Sequence, residues 1–69
     1  MKDKVSKKIL EIADGKLGAG ELQKIVADDT NVSEVTVKRR ISELVKIGIL
    51  LQTRDGKNIY YYNSGLIEV

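Results

Sequence analysis

The sequence predicts a mainly helical α+β domain in which three helices precede a C-terminal β-hairpin. Two observations support this fold class: apolar residues recur at helical spacing in three segments, and Asp55-Gly56 separates two stretches of high β-propensity. We expect helices over about residues 4–14, 19–27 and 33–47, a hairpin over about 49–62 and a short tail over 63–69. At 69 residues the chain is near the lower limit for a core without disulfides or metals, so we expect one domain.

The first predicted helix has an apolar stripe with lysines opposite. Val5, Ile9 and Ile12 form the stripe at helical spacing. Asp3 can cap the N-terminus with its carboxylate, and Gly15 can end the helix.

The second helix is predicted from a shorter apolar pattern. Lys16-Leu17 before it is too short to be more than a connection or a brief edge strand. We expect Leu22, Ile25 and Val26 on the inner face of the helix. Residues 28–31, Asp-Asp-Thr-Asn, bond readily to their own backbone, which predicts a turn there.

The third predicted helix has the clearest start and end. Ser33 is a good N-cap because its hydroxyl can accept a hydrogen bond from an N–H of the first turn, and Glu34 suits the positive end of the helix dipole. Gly48 can adopt the left-handed conformation that ends a helix. The inner face is predicted to contain Val37, Ile41, Leu44 and Val45.

The hairpin is predicted without a unique register. A two-residue loop would pair Arg54 with Lys57, and a longer loop with a bulge fits nearly as well. Within the run 60–62, alternation places Tyr61 on the opposite face from its neighbours. We therefore expect at least one tyrosine to complete the core rather than to stack on bases.

Composition excludes several function classes. The chain contains no Cys and no His, which excludes a disulfide scaffold, a zinc finger, a cysteine nucleophile and the usual general base. We therefore expect no enzyme, no cofactor and no metal site. No stretch approaches the length of a membrane span, and the lysine-rich start lacks the apolar run of a signal peptide, so we expect a cytoplasmic protein with no membrane partner.

Basic residues are concentrated in one part of the chain. The formal net charge is only +2, which by itself does not indicate a polyanionic partner. Between residues 38 and 57, however, six basic residues stand against two acidic ones, a local net charge of +4. This segment contains the third helix and the hairpin turn.

Val32-Ser33-x-x-Thr36-Val37-x-Arg39-x-Ile41-x-x-Leu44-x-x-x-Gly48-Ile49-Leu50 resembles the recognition-helix segment of prokaryotic winged-helix regulators. The resemblance covers most of the chain, since residues 9–13 and 20–22 stand where such families place their first two helices and residues 55–57 at the tip of the wing. It implies a winged helix-turn-helix domain that binds double-stranded DNA and regulates transcription. It does not distinguish subfamilies, and no effector-binding signature is present, so no small-molecule effector is expected.

The resemblance also implies which side chains contact DNA. The third helix would enter the major groove, where Arg39 suits a bidentate contact with guanine, and where Val35 and the Thr36 methyl suit a thymine methyl. Lys38 and Arg40 on the flanks suit phosphates, and the wing would lie on the backbone or in the minor groove. The candidate DNA-binding residues are Ser33, Glu34, Val35, Thr36, Lys38, Arg39, Arg40, Arg54 and Lys57.

Other interpretations stay open at this point. A charged helix face is usually only solvated, winged-helix folds also serve as protein–protein interaction modules without direct DNA binding, and RNA is a further polyanionic ligand. The apolar residues of the tail, Leu66, Ile67 and Val69, either cover the first helix or join a twofold interface. We favour a homodimer, because such regulators often bind sites of twofold symmetry and a small domain gains from extra burial.

Overall fold

Three helices and three short strands follow one another in residues 3–65, the part of the chain that the computed structural model describes. The elements are α1 (Lys4–Ile12), β1 (Asp14–Gly18), α2 (Ala19–Thr30), α3 (Glu34–Lys46), β2 (Leu50–Asp55) and β3 (Asn58–Asn63). The predicted fold class is thereby confirmed. Tail residues Leu66, Ile67 and Val69 lie outside the described residues, so both interpretations of the tail stay open.

The core is formed by the inner faces of the three helices and the start of β2. Apolar side chains alternate with polar ones at helical spacing in α1, α2 and α3, so each helix buries one face. The buried apolar residues are Val5, Ile9, Leu10, Ala13, Leu22, Val26, Ala27, Val37, Ile41, Leu44 and Leu50. Burying a side chain of leucine or isoleucine size contributes about 1.5–3 kcal/mol each, which makes this cluster the main source of stability.

Helix α1 begins as expected and ends earlier than expected. The Asp3 carboxylate accepts a hydrogen bond from the Val5 N–H at 3.1 Å, which confirms the predicted N-cap. The helix stops at Ile12, so its predicted extension to residue 14 is wrong. Residues 14–18 join the sheet instead, and Gly15 with φ +83° lies within this strand rather than at the helix end.

Strand β1 is an edge strand of an antiparallel sheet with the order β1-β3-β2. Asp14 lies opposite Tyr62 and Gly18 opposite Tyr60, with an irregularity in register between the two pairs. Of the two alternatives for Lys16-Leu17, the brief edge strand is therefore correct. The strand returns the chain from the end of α1 along β3 to the start of α2.

Helix α2 is longer than predicted, and its inner face contains a different set of residues. It continues to Thr30, whose hydroxyl donates to the Val26 carbonyl at 2.6 Å, and Asn31 in the left-handed conformation (φ 58°) ends it. The predicted turn over residues 28–31 is therefore wrong, because Asp28 and Asp29 belong to the last helical turn. Ile25 is 41% exposed, so its predicted place on the inner face is also wrong.

Helix α3 follows after a three-residue connection, Asn31 to Ser33. The predicted cap is confirmed, since Ser33 Oγ accepts a hydrogen bond from the Thr36 N–H at 3.2 Å. Gly48 has φ +83° just beyond the helix, as expected for a left-handed residue at a helix end. The predicted inner face is confirmed by Val37, Ile41 and Leu44, which are buried, and by Val45, which is partly buried.

Strands β2 and β3 form the predicted hairpin. Asp55 pairs with Asn58, which leaves Gly56 and Lys57 as a two-residue loop, so Arg54 does not pair with Lys57. Gly56 has φ +61°, and glycine at the first position of a two-residue loop is typical of a type II′ turn. Tyr61 packs against the core, which confirms the prediction that at least one tyrosine completes it.

The order of elements and the sheet β1-β3-β2 make the topology winged-helix-like. Helix α2, the short connection and α3 form a helix-turn-helix unit, and the hairpin β2–β3 (the wing) follows it directly. Within residues 3–65, no helix is both long and apolar enough to cross a membrane.

Candidate nucleic-acid interface

The outer face of α3 is the surface that points away from the buried stripe. Because residues three or four apart share a helix face, burial of positions 37, 41 and 44 turns the intervening side chains toward solvent. The exposed residues that we call the outer face are Glu34, Val35, Lys38, Arg39, Ser42, Glu43 and Lys46. This face carries more basic than acidic side chains.

Two of the candidate residues form hydrogen bonds with each other in the first turn of α3. Ser33 Oγ accepts the Thr36 N–H and lies 3.0 Å from Thr36 Oγ1, so the two hydroxyls also share a hydrogen bond. Thr36 is half-buried, whereas the sequence predicted it to face outward. Both side chains therefore stabilise the first turn of α3. This turn is at the end of the helix that would contact a ligand.

Arg40 is engaged within the protein. Its Nε lies 3.1 Å from Asp3 Oδ2, and its Nη1 lies 3.3 Å from Glu43 Oε2. Arg40 therefore links the N-cap of α1 to the middle of α3. It also partly neutralises Glu43, the outer-face carboxylate that would otherwise repel a phosphate most strongly in this part of the helix.

The Asp3 carboxyl is held in its charged form by this arrangement. Burial alone would raise its pKa, but hydrogen bonds from the Ser6 hydroxyl and the Val5 N–H, together with the Arg40 charge, lower the pKa below its ordinary value of 3.8. The Asp3 carboxylate, which forms the ion pair with Arg40, therefore stays charged at neutral pH.

Lys38 and Arg39 differ from Arg40 in having no side-chain partner among residues 3–65. Both are exposed, and neither takes part in an ion pair or side-chain hydrogen bond within residues 3–65. Their charges are free to meet an external anion. Next to them Val35 is 67% exposed.

The wing contributes two exposed cations near its tip. Arg54 lies opposite Ile59 in the ladder, and Lys57 occupies the second loop position. Lys57 also lines a shallow groove of about 360 Å³ with Gly18, Ala19 and Gly20. Gly18, Ala19 and Gly20 form the N-terminus of α2, which has no side-chain cap. The positive end of the α2 dipole therefore lies beside Lys57.

Two features of this surface could not be found from the sequence. The pairing of Arg40 with Asp3 joins residues far apart in the chain, and the local pattern around Arg40 contains no signal for it. The closeness of Lys57 to the start of α2 depends on the strand β1, which brings that helix end beside the wing.

The acidic residues of α2 lie elsewhere. Asp29 pairs with Lys8 of α1 at 3.4 Å, and Lys8 also lies 3.9 Å from Glu11. The pair of Lys8 with Asp29 joins α1 to α2, and the pair of Lys8 with Glu11 lies within α1. Neither pair is part of the outer face of α3. No cluster of three acidic side chains that could hold a metal ion occurs in residues 3–65.

Comparison with known proteins adds no family to this geometry. No protein-family model, curated protein or solved structure matches the chain.

Proposed function

We propose that this protein binds double-stranded DNA sequence-specifically as a small transcriptional regulator. In this proposal α3 lies in the major groove and the wing lies on the backbone or in the minor groove. The observation that carries the proposal concerns α3: its inner face is buried, while its outer face presents Lys38 and Arg39, which have no side-chain partner in the described part of the chain. A rigid basic helix at the surface, following a short turn, is the arrangement that helix-turn-helix proteins insert into the major groove.

The roles of the basic residues follow from their contacts. Arg39 can make two parallel hydrogen bonds to guanine, and Lys38 can neutralise a phosphate. A phosphate contact by Arg40 would compete with Asp3 and Glu43, so we assign the phosphate role on this helix to Lys38. Arg54 and Lys57 supply further phosphate contacts from the wing.

The remaining candidates, Ser33, Glu34 and Thr36, support α3 at its N-terminus. Ser33 and Thr36 hold the first turn, as described above, and a backbone N–H at a helix start is a common phosphate ligand. Glu34 is exposed in the same turn, where its carboxylate suits only a donor such as the amino group of cytosine.

A protein-interaction module is the second candidate function. The observation that favours it is on the outer side of the sheet, where Leu51 and Tyr62 pair across β2 and β3 and both remain exposed. An apolar protein interface and a DNA interface differ in their response to salt, because only the latter releases condensed counterions.

Selection from random duplexes, followed by fluorescence anisotropy at several salt concentrations, tests the proposal. We expect a preferred sequence, and a logarithm of affinity that falls linearly with the logarithm of salt concentration by about 0.9 for each neutralised phosphate. Single-stranded RNA of matched length serves as the competitor. Equal affinity for all duplexes, or tighter binding of RNA, would contradict sequence-specific DNA binding.

A further inference from the structure

Val35 is an aliphatic side chain that the fold itself does not use. With 67% of its surface exposed, it is the most exposed large apolar residue in the described part of the chain. It lies in the first turn of α3, outside the core. Alanine is a better helix former than valine at an exposed position, so neither packing nor helix propensity accounts for valine here.

The neighbours of Val35 give this residue a specific place on the proposed interface. Arg39 lies one turn later on the same helix face, since residues four apart are neighbours on a helix surface. Thr36, the other candidate for an apolar contact, is half-buried and bonded to Ser33. A β-branched side chain in a helix has one strongly preferred rotamer, so the two methyl groups of Val35 are held in a fixed position.

We propose that Val35 reads the 5-methyl group of a pyrimidine in the major groove, close to the base pair that Arg39 contacts. This inference rests on the proposed function, in which α3 lies in that groove. The C5-methyl group is the apolar feature of the major-groove edge, and proteins recognise it by apolar contact. Val35 and Arg39 are four residues apart, which separates them by about 6 Å along the helix axis, so the two side chains can reach base pairs close to each other.

Two bases can supply this methyl group. Thymine always carries it, and cytosine carries it when methylated at C5. The contact chemistry is the same, so separate measurements must distinguish the two sources.

The test uses the duplex obtained by selection. Each thymine is replaced singly by uracil, which removes only the methyl group, and each cytosine is replaced singly by 5-methylcytosine. At one position we expect the duplex with the methyl group to bind the wild-type protein about fourfold more tightly than the duplex without it. This factor is the one expected from burying one methyl-sized group. A thymine position identifies thymine as the source, and a cytosine position identifies 5-methylcytosine.

Val35→Ala should abolish the preference at that position while staying folded, as measured by circular dichroism. The matched control is Ile47→Ala, which removes an aliphatic side chain that is 63% exposed just beyond α3 and should keep the preference. Tight binding without methyl dependence at any position, or a methyl preference that survives Val35→Ala, would overturn the inference and leave DNA binding intact. Absence of duplex binding by the wild type would overturn the proposed function together with the inference.

Discussion

At the scale of single residues, three consecutive basic side chains on α3 have different surroundings. Lys38 and Arg39 are exposed and have no side-chain partner that the described residues supply, whereas Arg40 contacts Asp3 and Glu43. The sequence assigned Lys38 and Arg40 the same role, a phosphate contact, and assigned Arg39 a base contact. The structure instead separates two exposed cations from one that joins α1 to α3.

Arg39→Ala is expected to weaken binding of the selected duplex by about 1–3 kcal/mol and to relax preference at one base pair, because a bidentate base contact is lost. Lys38→Ala is expected to weaken selected and random duplexes equally and to reduce the salt slope by about one. Titrations of both duplexes at several salt concentrations measure this, with exposed Lys7 of α1 replaced by alanine as the control for one lost charge. If Arg39→Ala weakened both duplexes equally, Arg39 would be a phosphate contact.

Asp3→Asn is expected to lower the free energy of unfolding at pH 7. It is also expected to make the free energy of unfolding fall less steeply as the pH is lowered into the acid range. The lowered pKa of Asp3 means that its carboxylate stabilises the fold above the ordinary pKa of 3.8, and that this contribution is lost as the pH falls through the lower, folded-state pKa. Asparagine can keep the acceptor for the Val5 N–H, but it removes the charge and the second oxygen, which accepts from the Ser6 hydroxyl and pairs with Arg40. Urea unfolding between pH 7 and pH 2 measures the effect.

Asp28→Asn provides the matched control, because Asp28 is exposed and has no ion pair within residues 3–65. An identical acid limb in wild type and Asp3→Asn would show that the link from Asp3 to Arg40 does not stabilise the fold.

At the scale of elements, the helices support the proposed interface by burying their inner faces. Ile41 in the middle of α3 is 2% exposed, whereas Ile25 of α2 lies on the outside of its helix. The same residue type thus occurs in two environments on the two helices of the helix-turn-helix unit.

Ile41→Ala is expected to cost about 2–5 kcal/mol, because it removes buried methyl groups and leaves a cavity. Ile25→Ala, the same substitution at an exposed position, is expected to cost less than about 1 kcal/mol. Denaturant unfolding monitored by circular dichroism compares the two variants. Equal losses would mean that α2 is rotated relative to the core.

The wing is expected to contribute affinity rather than stability. Arg54→Ala combined with Lys57→Ala removes two exposed cations that make no ion pair in the described residues, so the free energy of unfolding should stay within about 0.5 kcal/mol. Duplex binding should weaken, with the salt slope reduced by roughly two. Unchanged affinity and slope would remove the wing from the DNA contact.

At the scale of the whole molecule, one copy is too small to reach two half-sites. The longest dimension of residues 3–65 is 31 Å, whereas half-sites one helical turn apart would be separated by about 34–36 Å. A twofold pair of copies would match a site with two inverted half-sites.

We therefore expect two copies on a duplex with both half-sites and one copy on a duplex with a single half-site. Sedimentation velocity of each complex measures the number of bound copies, and anisotropy shows whether the second copy binds more tightly than the first. A single copy on the longer duplex at saturation would contradict the homodimer.

The sequence alone determined the features that depend on local chemistry. The caps at Asp3 and Ser33, the inner face of α3, the left-handed Gly48 and the hairpin all follow from residue type and spacing, and all are confirmed. Local signals suffice there because the interacting groups are within a few residues of each other, so composition and period specify them directly.

Tertiary structure decided the features that depend on residues distant in the chain. Strand β1 has little β-propensity of its own and forms because β3 offers a pairing edge, which in turn ends α1 at Ile12. The rotation of α2 turns Ile25 outward because the core is already filled by Leu22, Val26 and Ala27. Likewise, only the packing of α1 against α3 brings Asp3 to Arg40, whereas the neighbouring Lys38 and Arg39 form no ion pair within residues 3–65.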